Sequence, residues 1–141
     1  MARSFALAGL LRVRAIQEDQ AAAELAEAHR RERAARVRAA DAAHALGSAF
    51  PPDSADVASW HATVSARLAL SALLIERTVE QDAAEEVTAR RTADWTAARG
   101  RTRSVERLAE RHAEKVRVEE DRAEQLLLDE VAGRRRVQDP T

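Results

Sequence analysis

Pro51 and Pro52 form the only pair of helix breakers inside this chain, whose third proline, Pro140, stands next to the C-terminus. Neither can donate a backbone hydrogen bond, and each clashes with the preceding turn of a helix. Gly47 offers the conformational freedom common just past a helix C-terminus. The stretch Gly47–Asp53, reading Gly-Ser-Ala-Phe-Pro-Pro-Asp, therefore divides the chain into two segments that can each be helical throughout.

The remaining residues favour that outcome. With 33% charged and 3% aromatic residues and no tyrosine, the chain has the composition of a long helical assembly and not of an ordinary globular core. Much of its 45% hydrophobic content is alanine, so a thin seam with little buried area is expected. The net charge of −1 gives no overall bias toward nucleic acid or anionic lipid, and the absence of cysteine removes disulfide frameworks and thiolate metal sites. The apolar run Phe5 to Leu11 is cut by Arg12 and Arg14, with no cleavage signal and no span of about 20 apolar residues, so a soluble, unprocessed intracellular chain is expected.

The first helix is predicted over 4–46, capped by Ser4. Alternate steps of four and three give the seam Leu7, Leu11, Arg14, Glu18, Ala21, Leu25, Ala28, Glu32, Ala35, Ala39, Ala42 and Leu46, interrupted by Arg14, Glu18 and Glu32. On its other faces Glu27 precedes Arg31, and Glu32 precedes Arg36, by one turn. Such pairs support an exposed helix by roughly 0.2–0.5 kcal/mol each. Arg30, Arg31, Arg33, Arg36 and Arg38 make the most basic run, read as a solvated face.

After a turn over 47–53, the second helix is predicted over 54–132, capped by Asp53 or Ser54, with a tail at 133–141. Gly100 inside it could mark a bend. Val64, Leu68, Ala72, Ile75, Val79 and Ala83 repeat over eleven residues, which favours little or right-handed supercoiling. From Trp95 the period becomes seven, through Ala98, Thr102, Val105, Ala109, His112, Val116, Glu119, Ala123 and Leu126. Neither seam can stay wet, so the expected fold is all-α, a long antiparallel two-helix coiled-coil hairpin with a longer second helix, in a single domain over 1–141. If Leu46 faces the region of Val57, the first helix ends opposite about Gly100, and everything beyond needs a partner.

Catalytic and metal chemistry find no footing. Of His29, His44, His61 and His112, none has another histidine four residues away, and Asp41 with His44 is the nearest approach to a helical ligand pair. Gly9, Gly47, Gly100 and Gly133 are isolated, so no phosphate loop exists. A two-helix coil has no concavity to hold a nucleophile. The expectation is no enzyme, no cofactor and no metal. Nucleic-acid binding would rest on the Arg30–Arg38 cluster and on Arg134, Arg135 and Arg136, but Glu119, Glu120, Asp121, Glu124, Asp129 and Glu130 precede the latter, so no nucleic acid is expected. Phe50, Trp60, Leu70, Leu73 and Leu74 crowd the loop end, either as a small core that staples the turn or as an apolar patch for another protein.

Both ends of the chain resemble the FliJ family, the small coiled-coil component of the bacterial flagellar export apparatus. The likeness lies in Phe5, Leu7, Leu10, Leu11, Val13 and Arg14 with Glu18, Asp19, Ala21, Ala22, Glu24 and Leu25, and then in Glu119 to Arg122 leading into Leu128-Asp129-Glu130, Ala132 and Arg134. The middle matches in architecture only, and the short loop and alanine-heavy seam depart from the pattern. The resemblance implies a cytoplasmic stalk, peripheral to the membrane, at the cytoplasmic face of the inner membrane when assembled. Its paired termini would insert into the hexameric export ATPase FliI and promote ring assembly. Its loop end would reach the export gate FlhA, and it would escort export chaperones. On this implication, Arg14, Glu18, Arg122, Asp129, Glu130 and Arg134 face the ATPase, where Arg14 and Glu18 loosen the coil; Phe50, Trp60, Val64, Leu68 and Ile75 face the gate. A stalk of a non-flagellar type III secretion system, a helical nucleic-acid-binding protein and a generic coiled-coil adaptor are the alternatives.

Overall fold

A computed structural model describes residues 6–138. Two α-helices account for nearly all of them: α1, Ala8–Ser48, and the longer α2, Val57–Gln138, packed as an antiparallel helical hairpin. Ser4 and Phe5 lie outside the described residues. Two compact units share these helices: 19–97, which holds the turn, and 1–18 with 98–141, which holds both chain ends.

Helix ends differ from the sequence expectation in ways that the local chemistry explains. α1 runs through Gly47 to Ser48, and no glycine has a positive φ, so the helix stops without a left-handed cap. The Ser48 hydroxyl instead donates to the carbonyl of His44 at 2.9 Å. Neither Asp53 nor Ser54 caps α2. Asp56 does, its carboxylate accepting the Ser59 backbone N–H at 2.8 Å; hydrogen bonding with the Ser59 side chain and then with this N–H holds that carboxyl below its ordinary pKa. At the other end α2 continues past 133 to Gln138, and it passes through Gly100 without interruption.

In unit 19–97 the alanine seam of α1 behaves as its heptad spacing predicts: Ala28, Ala35, Ala39 and Ala42 are all buried. The facing stripe of α2 is not the apolar one. Val64, Leu68, Ile75 and Val79 are at least half exposed, and Ala72 and Ala83 are exposed too, so the eleven-residue stripe points to solvent. Covered or half-covered instead are Thr63, Arg67, Leu70, Leu74, Arg77, Gln81, Ala84 and Thr88. These follow alternate steps of four and three, in the heptad phase of Trp95, Ala98 and Thr102. A helix packed on a heptad partner must keep one phase, and a local change of period would rotate its seam away from α1. Phase continuity outweighs the gain from burying four larger side chains.

Polar residues tolerate the seam because their groups are satisfied locally. Thr63, Ser71 and Thr88 donate to the carbonyls of Ser59, Arg67 and Ala84 at 2.9, 2.8 and 3.1 Å. Arg77 lies along Glu80 with contacts of 2.8 Å, which raise the pKa of the guanidinium and lower that of the carboxyl. Glu32, a charge within the α1 seam, reaches Arg36 at 2.7 Å and the His29 ring at 3.7 Å.

Cross-helix contacts fix the register of this unit. Arg67 meets the carbonyls of Leu46 and Ala49, Arg38 meets Glu80 at 3.6 Å, Arg36 meets Glu85 at 3.6 Å, and Arg91 meets Glu24 at 2.8 Å. Leu46 thus faces the neighbourhood of Arg67 and not of Val57. The first turn and a half of α2 adds little packing, since Val57 to Ala62 are exposed apart from Ser59.

Unit 1–18 with 98–141 is built on Ala98, Thr102 and Val105 of α2, the buried residues there among those described. The Thr102 hydroxyl lies 3.2 Å from the Ala98 carbonyl and 3.3 Å from that of Arg14, and Arg99 meets Glu18 at 3.0 Å. Half-buried Ala109, His112 and Val116 continue the seam, and from Arg117 to Arg134 every side chain is exposed. The unpaired part of α2 therefore starts after Val116, not at Gly100.

Candidate partner-binding surfaces

Between Asp56 and Glu76 the only formally charged side chain is Arg67, in a chain that is otherwise one-third charged. At 100° per residue, Val57, Val64, Leu68, Ile75 and Val79 fall on one narrow arc of α2, on the side away from its buried seam. They are 50–74% exposed, with Leu68 at 73% and Ile75 at 67%. Trp60, 55% exposed, flanks the arc. These residues form a contiguous exposed apolar stripe, closed at its far end by Glu76, Glu80 and Asp82. Val64, Leu68 and Ile75, proposed for the gate from the sequence, thus lie together, and Val57 and Val79 extend them.

Phe50 sits apart in the turn, 72% exposed. Its ring carries the Arg67 guanidinium at 5.4 Å from the centroid. The same Nη1 donates to the Ala49 carbonyl at 2.7 Å and the Leu46 carbonyl at 3.2 Å. A cation is favoured there because those carbonyls end α1, where the backbone dipole is negative. Of the loop-end cluster, Leu70, Leu73 and Leu74 are half-buried while Phe50 and Trp60 stay exposed, so stapling and display are divided among them. Sequence reasoning passed over Arg67. Its place in the heptad phase, and its being the lone charge in an uncharged run, were the available signals.

In unit 1–18 with 98–141, Glu18 turns into the seam, whereas the Arg14 guanidinium stays on the surface of its own helix. Arg14 donates to Gln17 at 2.9 Å and its carbonyl accepts from Thr102; the Glu18 side chain, 16% exposed, is held by Arg99. Glu18 thus ties α1 to α2 and does not loosen it, while Arg14 meets α2 only through its backbone carbonyl. Arg122, Asp129, Glu130 and Arg134 are exposed on the unpaired part of α2, with Arg134 on Glu130 at 2.6 Å. Among them Leu126, Leu127 and Leu128 are 71%, 63% and 62% exposed. Three successive residues span about 200° of a helix, so no single flat partner covers all three. An enclosing one does.

Among the described residues, no group of His, Cys, Asp or Glu is arranged to hold a metal ion, and no helix is long and apolar enough to cross a membrane. Comparison with curated proteins and with solved structures gives no match. A family model described as flagellar FliJ protein matches residues 3–139, nearly the whole chain. With the antiparallel hairpin, the longer second helix and a match over this span, the chain belongs to the FliJ family of flagellar export-related coiled-coil proteins.

Proposed function

We propose that the protein is the cytoplasmic stalk of the flagellar export apparatus, with its unpaired α2 segment seated in the hexameric export ATPase FliI and its uncharged stripe against the export gate FlhA. The observation that carries this reading is the fully exposed segment from Arg117 to Arg134, whose leucines 126–128 face more than half of the helix circumference. A ring lumen surrounds a helix, and alternating Arg122, Asp129, Glu130 and Arg134 offer ion pairs to charged loops lining it. The protein acts by shape and contact, promoting ring assembly, and carries out no chemistry of its own.

Phe50, Trp60, Val64, Leu68 and Ile75 are the residues assigned to the gate, and export chaperones are handled as further clients of the stalk. The membrane is reached only through the gate, at the cytoplasmic face of the inner membrane. Arg14 and Glu18 serve the ATPase end indirectly, by holding the base of the segment in place. Pull-down of the cognate export ATPase with the full chain, together with stimulation of its ATP hydrolysis, tests the proposal. Stimulation that saturates with added protein is expected, and no binding at low salt overturns it.

A further inference from the structure

The exposed stripe of the turn unit matches itself end for end. Val64 and Leu68 stand one turn apart, Ile75 and Val79 repeat that spacing eleven residues later, and the four are symmetric about the midpoint between Ser71 and Ala72. At 100° per residue they share an arc of about 60°, which the eleven-residue spacing keeps nearly straight along about 22 Å of α2. All four are exposed. The arc lies about 130° from the mean direction of Leu70, Leu74 and Gln81 in the seam, so α1 does not cover it.

A two-fold axis through that midpoint sets Leu68 of one copy against Ile75 of the second and Val64 against Val79, and repeats each contact. Small Ser71 and Ala72 border the arc at the axis, where the two helices come nearest. The Ser71 and Thr78 hydroxyls beside it already donate to the Arg67 and Leu74 carbonyls, both at 2.8 Å, so neither donor needs water. His61 and Asp82 lie in the same arc at equal distances from the axis, which brings each imidazole to the height of the other copy's carboxylate. Asp82 is exposed and has no ion pair of its own among the described residues. Glu86, also on the arc, is held by Arg90 at 2.6 Å and falls opposite uncharged Val57. Arg67 and Glu76 lie about 60° outside the arc on its two sides, and Asp56 about 80° outside, so no like charges are opposed.

We infer that free chains associate through this stripe as an antiparallel dimer, with Leu68 on Ile75 and Val64 on Val79 across a two-fold axis at Ser71 and Ala72. A second copy is the occupant that the pattern selects. Two apolar pairs, a small-residue centre and a histidine–carboxylate pair all stand at matched distances from one point, so a single symmetry operation satisfies them together. The association is mainly apolar and therefore tolerates salt. Four large side chains per copy fall short of the about 1,200 Å² that stable interfaces bury, so the dissociation constant is placed on the order of 10–100 µM. Only the consequence rests on the proposed function: paired stripes are closed to the gate, and gate binding separates the copies. The test contains neither ATPase nor gate, so the dimer can fail without that reading failing.

Sedimentation equilibrium of the full chain from about 5 µM to about 500 µM tests it. The mass is expected to rise from 15.5 kDa toward twice that value, and to change little between about 50 and about 500 mM NaCl. Leu68→Asp with Ile75→Asp weakens the dimer tenfold or more with helicity unchanged. Leu68→Lys chains and Ile75→Glu chains each associate more weakly than the parent, and the mixture associates more tightly than either alone, because a mixed pair sets one lysine against one glutamate. The chain lacks cysteine, so introduced cysteines report geometry directly. Ala72→Cys, which keeps every apolar residue of the stripe, is expected to form a symmetric disulfide, and Val64→Cys mixed with Val79→Cys to couple 64 to 79 in preference to 64 to 64. A single-chain mass at every concentration leaves the stripe to a different protein and overturns the inference. So does a dimer that survives Leu68→Asp with Ile75→Asp, a charged mixture no tighter than its components with helicity intact, or preferential 64–64 coupling.

Discussion

Arg67→Met removes the guanidinium while keeping most of the aliphatic stem, and so isolates one of the attachments that set the register of the turn unit. Two contacts to backbone carbonyls are lost, one short at 2.7 Å and one long at 3.2 Å, with the stack on Phe50 at 5.4 Å. A hydrogen bond from a charged donor contributes about 1.5–3 kcal/mol when well shielded. Here the side chain is only part-buried and the freed carbonyls regain water, so both contacts together are placed near 1–1.5 kcal/mol. The cation–π contact adds about 0.5 kcal/mol at an exposed ring. The expected loss is about 1.5–2 kcal/mol, read as a lower urea midpoint with an unchanged denaturant slope. Arg67→Lys restores the charge but not the fork, and recovers about half. A loss under about 0.3 kcal/mol for Arg67→Met, or full recovery by lysine, refutes the clamp.

Three other outcomes follow from the same geometry. Gly100→Ala raises stability by about 0.5–1 kcal/mol in thermal or urea unfolding, because the added methyl meets nothing within 4 Å and the helix is already continuous there. Ala35→Leu, at a position 2% exposed, forces the helices apart and lowers the urea midpoint by the equivalent of about 1–3 kcal/mol. Acid weakens the hairpin: Glu27 beside Arg30, Asp56 beside Ser59 and Glu80 beside Arg77 titrate below their ordinary values of 4.5, 3.8 and 4.5. Their contribution is complete above those values and is lost as pH falls through the lowered folded ones, so helicity at fixed urea drops below about pH 4.5 and stays flat from 5 to 8.

What the sequence revealed depended on whether local and long-range preferences agreed. Along α1 they agree: alanines at heptad spacing are the good helix formers, the small residues and the apolar ones at once, and Ala28, Ala35, Ala39 and Ala42 are buried as that predicts. The seam from Trp95 to Val116 was equally legible. Between Val57 and Ala84 the preferences part. Hydrophobicity selects Val64, Leu68 and Ile75, whereas the partner helix imposes the phase of Arg67, Leu74 and Gln81, a preference visible only once the two helices are considered together. The same conflict marks the surface, since apolar residues excluded from the seam become the exposed stripe. The register was hidden for a related reason: besides exposed ion pairs it rests on Arg67, whose acceptors, backbone carbonyls, have no sequence signature. Glu18 shows the converse, its charge suggesting a surface role until Arg99 is seen across the seam.

In the function proposed, two separate surfaces of one chain engage two partners, and paired measurement of ATPase stimulation and gate binding tests this most directly. Leu126→Asp with Leu128→Asp is expected to abolish stimulation of the export ATPase while leaving gate affinity within about twofold. Leu68→Asp with Ile75→Asp is expected to weaken gate binding at least tenfold, about 1.4 kcal/mol, while stimulation and helicity persist, since both positions are at least two-thirds exposed. If either pair of substitutions impairs both activities equally, or neither impairs its own, the division of the chain into these two surfaces is wrong.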